Sequence, residues 1–306
     1  MSEAQKQPEI SPPPEKGRVR LPPWIRVRVS GSAVVDTVHS LLDQNSLHTV
    51  CQGAQCPNQH ECFSKGTATF MILGDVCTRD CLFCAVRTGN VQAVDPDEPQ
   101  RVAEAADRLH LRHVVVTSVT RDDLKDGGAG LFAETIRAIR SRLPEATIEV
   151  LVPDFQGREL DLDTVLAAQP EVFNHNLETV RRLQCTIRPT ASYERSLAVL
   201  RYAAGWTPKL AVKSGLMVGL GETDEEIFAA MQDLRRAGCE LLTIGQYLAP
   251  SVRHAPVERY AHPDVFAEYA RRGAEMGFRN VASGPLVRSS YHAETQFNPQ
   301  GRGHRA

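Results

Sequence analysis

Residues 66–86 read GTATFMILGDVCTRDCLFCAV. The run over 67–73 is short, apolar and β-branched, which predicts a strand buried on both faces. Cys77, Cys81 and Cys84 follow it directly, in a C-x3-C-x2-C spacing. That places three thiols on the loop where a strand of an α/β barrel delivers its functional groups.

Working outward, the same alternation recurs. Further strands are predicted over 112–118, 147–152, 171–175, 210–218 and 240–244. Helices are predicted over 102–109, 129–142, 162–168, 193–204, 224–237 and 263–276. Runs such as HVVVTSV and TIEVLVP suit a parallel sheet covered by helices. Six β-α repeats predict a partial or complete α/β barrel, with a doubly wound open sheet as the alternative. Before the first strand stand an amphipathic helix over 33–43 and an irregular, cysteine-bearing loop segment over 51–66. Residues 1–22 are rich in Pro, Glu, Gln and Lys and are expected not to pack. Residues 21–30, LPPWIRVRVS, could dock as an arm through Trp24, Ile25, Val27 and Val29. With Arg18, Arg20, Arg26 and Arg28 this arm is either a partner-binding element or a solvated strand.

Composition narrows the function. The chain has 306 residues, 42% hydrophobic and 24% charged, with a formal net charge of −2. These values exclude a disordered or fibrous chain, and near-neutrality argues against a nucleic-acid coat. No run long enough to span a membrane and no apolar leader is present, so a cytoplasmic protein is expected. The eight cysteines are too few for a disulfide scaffold. Cys51, Cys56, Cys62, Cys77, Cys81 and Cys84 cluster in one segment, which reads as metal ligation.

Thiolates suit zinc or iron–sulfur clusters. A structural zinc wants four ligands, whereas the downstream triad supplies three. Three are what a cubane with one open iron would need. The upstream triad has a C-x4-C-x5-C spacing within CQGAQCPNQHEC, with His60 as a possible further ligand. Cys185 and Cys239 lie outside both triads and are expected to be small core residues.

C-x3-C-x2-C after the first strand of an α/β repeat, with Phe83 before the last cysteine, resembles the radical S-adenosylmethionine (SAM) superfamily. With the upstream triad, the chain is similar to the lipoyl synthase family within it. The stretches that carry this likeness are PPWIRVR, HTVCQGAQCPNQHEC, GTATFMILGDVCTRDCLFCAV, VVVTSVTRDDLKDGGA, NHNLETV, KSGLMVGLGET and GPLVRSSYHA, spanning 22–295.

The resemblance implies a partial (β/α)6 radical-SAM barrel over 67–282. A cysteine-rich N-terminal extension (23–66) and a C-terminal extension (283–306) would flank it. It implies two 4Fe–4S clusters, one binding SAM through Cys77, Cys81 and Cys84. The other would be an auxiliary, sacrificial cluster on Cys51, Cys56 and Cys62, with Ser290 (fallback Ser289) as its oxygen ligand. The implied activity is a sulfurtransferase inserting two sulfur atoms at C6 and C8 of octanoyl-lysine on a lipoyl carrier domain. That carrier would be a 2-oxoacid dehydrogenase E2 or the glycine cleavage H protein, and an electron donor and an iron–sulfur carrier are implied as well. Two SAM molecules would be consumed per lipoyl group. A biotin-synthase-like enzyme or a zinc-stabilised binding module are the competing readings.

Thr117, Ser118, Thr120 and Asp122 are expected near the SAM amino-acid moiety, with a helix-capping loop as the alternative. Asn174 and Glu178, in NHNLE, are expected to line the site at a strand end, or to form a structural network. Lys213 and Arg188 are weaker candidates. GLGET at 219–223 is not a dinucleotide motif, since the third glycine position holds Asp224. Thr223 with Glu226 forms a capping-box pattern. Gly127 and Gly128 mark a turn.

Overall fold

A computed structural model describes residues 21–26 and 33–297. Eight strands form one sheet. In sheet order they are His48–Thr49, Thr69–Ile72, His113–Ser118, Thr147–Leu151, Val172–Asn174, Ala211–Val218, Leu241–Gln246 and Asn280–Gly284. His48–Thr49 pairs antiparallel at one edge; every other pairing is parallel. Among the described residues the edges do not pair with each other, so the barrel is partial.

The predicted strands all form, within a residue or two at each end. Helices Ala129–Arg142 and Tyr193–Ala204 have the predicted bounds. The helix expected from 102 begins at Glu98, because Pro99 in its first turn supplies a preset φ and needs no donor there. Asn280–Gly284 adds a strand that the sequence pattern did not predict. Its Ala282, Ser283 and Gly284 carry little β-propensity.

The helices cover the outer face through Phe132, Ile136, Leu200, Ile227, Leu234 and Phe266. The inner face is more polar. Lys213 Nζ is 2.7 Å from Glu149 Oε1, and both side chains are almost wholly buried. His113 Nε2 lies 3.2 Å from Glu149 Oε2. Burial opposes the Glu149 charge, but Lys213 and then His113 hold its carboxyl down at about 2. On the strands beside this pair Val172, Ala211 and Leu241 form a small apolar cluster with Phe297.

The cysteine-bearing segment corrects an expectation. It is not an irregular wrap: Cys51 lies in the helical turn Val50–Gly53 and Cys62 in the helix Gln59–Ser64. Thr49 caps the first by accepting from the Gln52 amide. The segment is tied to the C-terminal residues. Asn58 Nδ2 donates to Leu286 O at 2.6 Å, and Tyr291 Oη donates to Glu61 Oε2 at 2.9 Å.

Where the arm is described, it docks. Trp24 Nε1 donates to Ala261 O at 3.1 Å, its ring meets His262 edge-on, and Ile25 is buried. Residues 1–20 and 27–32 lie outside the described residues, and with them the tail, Arg18, Arg20, Val27, Arg28 and Val29. Among the described residues no helix is long and apolar enough to cross a membrane.

Candidate active site

The Cys77–Cys84 loop leaves the carboxyl end of Thr69–Ile72 and is pinned from several sides. Cys77 Sγ accepts from the amides of Arg79 and Thr120, both at 3.4 Å. Thr78 donates to Thr120 O through its amide (3.0 Å) and its hydroxyl (2.9 Å). Arg79 is buried and forks onto Asp122, with Nε–Oδ2 at 2.7 Å and Nη2–Oδ1 at 2.8 Å. Its Nη2 also reaches Asp154 Oδ1 at 2.7 Å. Burial works against the Arg79 charge, yet these bonds raise it above its ordinary value. Asp154 is fully buried, and its bond to Arg79 outweighs burial to hold it at about 2. The other end of the loop is fixed by backbone. Leu82 N donates to Ile187 O at 3.0 Å, Ala255 N to Leu82 O at 2.8 Å, and His254 Nε2 lies 3.0 Å from Cys84 O.

The upstream triad opens on a cavity of about 280 Å³. Cys51, Cys56, Cys62, Thr69, Arg288 and Ser290 line it. Thr69 Oγ1 donates to Ser290 Oγ at 2.8 Å, and Thr69 works against the upward push of burial on the Cys51 thiol. Ser289 faces elsewhere, accepting from Asn176 Nδ2 at 2.6 Å. A larger surface hollow, about 460 Å³ between Pro96 and Arg142, contains none of the cysteines.

The thiols of each triad feel one another. Burial, then the neighbouring Cys56, pushes Cys51 up to about 11; burial, then Cys51 and Cys56, pushes Cys62 up to about 12. In the downstream set burial raises Cys84 to about 12, with Cys81 and Cys77 adding to it. Burial likewise raises Cys56 and Cys81. Sulfurs stripped of water and opposing each other's ionisation fit a cationic iron–sulfur centre, which binds thiolates and relieves that repulsion. Among the described residues no three His, Cys, Asp or Glu side chains meet at a point where one ion would sit. A cubane asks for less convergence, since each thiolate takes a different iron. His60 is exposed.

The residues expected beside SAM divide into two sets. Thr117 and Asp122 are otherwise engaged: the Thr117 hydroxyl donates to Leu151 O at 2.9 Å, and Asp122 holds Arg79. Asn174 is buried beside the Lys213–Glu149 pair, with Nδ2 3.5 Å from Glu149 Oε1 and, among the described residues, no partner on Oδ1. Ser118 Oγ is buried without a partner among the described residues, and Thr120 serves the cysteine loop through its backbone. Glu178 adopts a left-handed φ of 70° and accepts from Asn176 Nδ2 at 3.0 Å. Burial pushes its carboxyl up, against Arg188 and Arg288. Arg188 donates to Asn176 O and Leu177 O, both at 3.2 Å, and its charge opposes the upward push of burial on Cys81. Arg288 lines the upstream cavity and acts electrostatically on both Cys56 and Glu178.

The capping box at Thr223 and Glu226 forms. Glu222 accepts from the Gly219 amide at 2.6 Å and the Leu220 amide at 2.8 Å, closing the GLGET loop. Gly127 and Gly128 take left-handed φ before helix Ala129–Arg142. Cys239 is buried as expected, but Cys185 is exposed, a correction: it stands on the outer side of the short helix Gln184–Ile187, whose buried positions are Gln184 and Ile187. Sequence reading missed Arg79, Thr69 and His254, whereas Asn176 stands within the NHNLE cluster it read as site-lining. Of the three missed, only Arg79, inside the cysteine motif, carried a local signal.

The radical SAM superfamily matches residues 71–234. A lipoyl synthase of Nitratidesulfovibrio vulgaris (strain Hildenborough) is 54% identical over 290 residues, covering 94% of this chain and 96% of the relative. A lipoyl synthase of Rubrobacter xylanophilus is 54% identical over 289 residues, covering 94% and 90%. Among solved structures, methylornithine synthase aligns with a TM-score of 0.51 at 12% identity, over 82% of each chain. Streptococcus suis SuiB bound to S-adenosylmethionine aligns with a TM-score of 0.56 at 11% identity, over 79% of this chain and 58% of that one. These last two share the fold alone.

Proposed function

The chain belongs to the lipoyl synthase family of the radical SAM superfamily, and on that premise we propose a role for each part of its site. As a lipoyl synthase it is a SAM-dependent iron–sulfur sulfurtransferase acting on lipoyl carrier proteins. We assign Cys77, Cys81 and Cys84 to the SAM-binding 4Fe–4S cluster. Cys51, Cys56, Cys62 and Ser290 are assigned to the auxiliary cluster. The observation that carries this assignment is the shared cavity of Cys51, Cys56, Cys62 and Ser290, separate from the pinned Cys77–Cys84 loop.

The reaction breaks C–H bonds at C6 and C8 of an octanoyl chain. No tuned side chain removes such a proton, since general bases work near the operating pH. When bound, the cofactors supply one-electron cleavage of SAM for hydrogen-atom abstraction and a sulfur atom for the carbon centre. The chain's own residues do the rest. Arg79, held by Asp122 and Asp154, and His254 fix the loop of the first triad. Ser118, Thr120, Asn174 and Glu178 offer polar groups for SAM, with Thr117 and Asp122 acting behind them. Thr69 orients Ser290. Arg288 balances negative charge at Cys56 and at Glu178. The apolar cluster of Ile187, Leu220, Tyr247 and Ala255, with Phe83 packed on it, excludes water beside the cysteine loop.

The carrier in this reading is a 2-oxoacid dehydrogenase E2 domain or the glycine cleavage H protein, met in the cytoplasm, with neither nucleic acid nor membrane involved. An electron donor and an iron–sulfur carrier complete the partners. Carrier domains of this kind are commonly acidic, and the basic arm around Arg26 offers opposite charge, so its contribution should weaken with salt.

The test is a single turnover with labelled sulfide built into the auxiliary cluster. Protein purified without oxygen should hold about eight iron and eight sulfide per chain, and the label should appear in the lipoyl product. Zinc without sulfide, or unlabelled product, would overturn the assignment.

A further inference from the structure

Ser289 and Ser290 are neighbours that serve different partners. Ser290 Oγ accepts from Thr69 and lines the cavity of the upstream triad. Ser289 Oγ accepts from Asn176 Nδ2 at 2.6 Å, across 113 residues of sequence. The same Nδ2 donates its other hydrogen to Glu178 Oε1 at 3.0 Å. A side-chain amide has two such donors, and both are spent. One planar group therefore joins the C-terminal segment to Glu178.

Two glycines allow this close approach. A Cβ on Gly215 would lie 2.7 Å from Asn176 Oδ1, and one on Gly245 would lie 2.1 Å from Val287 O. Neighbouring strands thus give up side chains where Asn176 and the segment before Ser289 rest on them. Ser289 and Ser290 are consecutive residues of one turn, closed by the Tyr291 amide on Arg288 O at 3.0 Å, so fixing Ser289 on its partner fixes where Ser290 points.

We infer that Ser289 is a positioning residue that couples SAM binding to occupancy of the auxiliary cluster site. This rests on the ligand assignment above, with Glu178 on the SAM side. A ligand that orders Glu178 and Asn176 orders Ser289, and with it Ser290. A cluster held at Ser290 presets the Asn176 amide for SAM. Such coupling is reciprocal, with one factor in both directions.

A double-mutant cycle on the anaerobic holoenzyme tests it. SAM dissociation constants are measured by equilibrium dialysis without reductant, so that SAM stays intact. The cycle comprises the wild type, the Cys51→Ala/Cys56→Ala/Cys62→Ala variant, Ser289→Ala, and their combination. Removing the three cysteines should weaken SAM binding about fivefold or more when Ser289 is present. In the Ser289→Ala background the same removal should change it less than about twofold. Ser289→Thr, which keeps the acceptor oxygen, should restore the coupling, and Ser289→Val, of the same shape, should not. If the alanine variant fails to hold iron, the Thr and Val pair carries the cycle. Equal factors in both backgrounds, or no effect in the first, would overturn the coupling. Iron counts on the same samples separate the two claims: a triple variant that keeps all its iron overturns the ligand assignment instead.

Discussion

The hydroxyl of Thr69 donates its one hydrogen to the hydroxyl of Ser290 at 2.8 Å, and both residues line the cavity of Cys51, Cys56 and Cys62. One side chain thus holds the oxygen of the proposed auxiliary site. A donor aimed at an oxygen strengthens as that oxygen gains negative charge. Thr69→Val keeps the shape and removes the donor. It should lower auxiliary iron retention and slow sulfur transfer about tenfold, taking one charge-assisted hydrogen bond as about 1.5 kcal/mol. SAM cleavage should stay near the wild-type rate. Ser290→Ala should lose more, with little or no lipoyl product. Comparing 5′-deoxyadenosine with lipoyl product in a single turnover checks both variants. Normal product from Ser290→Ala would exclude it as an essential ligand.

Arg79 stands between Asp122 and Asp154 with its side chain only 5% exposed, and Asp154 is not exposed at all. The fork matches the carboxylates in a way a lysine cannot. Arg79→Lys should therefore behave as a damaging substitution. Removing one partner of a buried pair costs about 3–5 kcal/mol, because the other charge is left stranded. Arg79→Ala should lower thermal stability and release iron from the Cys77, Cys81 and Cys84 site before the other. Iron loss to a chelator, followed together with electron paramagnetic resonance of the reduced protein, distinguishes the two clusters. Retention of the SAM-binding signal in Arg79→Ala would show that Asp122 and Asp154 do not serve this loop.

What was legible in the sequence was local. The strands announced themselves as short apolar runs, and the six clustered cysteines as thiolate spacing. The pairings that aim those cysteines were not legible, even where Asp122 and Ser290 were named, because they join distant parts of the chain: Asp122 is 43 residues from Arg79, His254 is 170 from Cys84, and Ser290 is 221 from Thr69. No periodicity encodes such pairs. The helical turns at Cys51 and Cys62 span four and six residues, too short for a 3.6-residue repeat to emerge. The strand Asn280–Gly284 was hidden by its small residues, whose use lies in contact: a Cβ on Gly284 would come within 3.3 Å of Val287 Cγ2.

Gly245 makes the same point with a larger consequence. Its hypothetical Cβ meets backbone, the Val287 carbonyl, and lies 3.2 Å from Arg288 Nη1. Backbone cannot swing aside as a side-chain tip can. Gly245→Ala should push the segment carrying Ser289 and Ser290 off the sheet, costing about 1–3 kcal/mol of stability. Auxiliary iron should fall while iron at Cys77, Cys81 and Cys84 is kept. Gly221, whose Cβ would approach only Glu258 Cγ at 3.5 Å, has space but a φ of 103°. Gly221→Ala should therefore destabilise through backbone strain without selective loss of auxiliary iron. Equal iron loss from both variants would refute the contact argument.

His175 sets the acid limit of the fold. Its Nδ1 lies 2.9 Å from Val152 O and its Nε2 3.0 Å from Ser196 Oγ, with the ring buried. A carbonyl only accepts, so Nδ1 carries the hydrogen and Nε2 accepts from the serine. Burial, then Arg188, lowers the ring to about 4. Its ordinary value in an unfolded chain is about 6.5. Between pH 6.5 and pH 4 the unfolded state therefore binds the extra proton, and stability rises with pH across that window. The full contribution is on the order of 3 kcal/mol, gained by pH 7 and lost progressively on acidification toward pH 4. Asp154 does not confuse the reading, since its charge is lost only near pH 2. Urea unfolding of the anaerobic protein at several pH values should show a falling midpoint below pH 6.5. His175→Gln, which has no titrating ring, should be less stable at pH 7 and flatter over the same window. Parallel curves for the two proteins would show that the acid limb has another source.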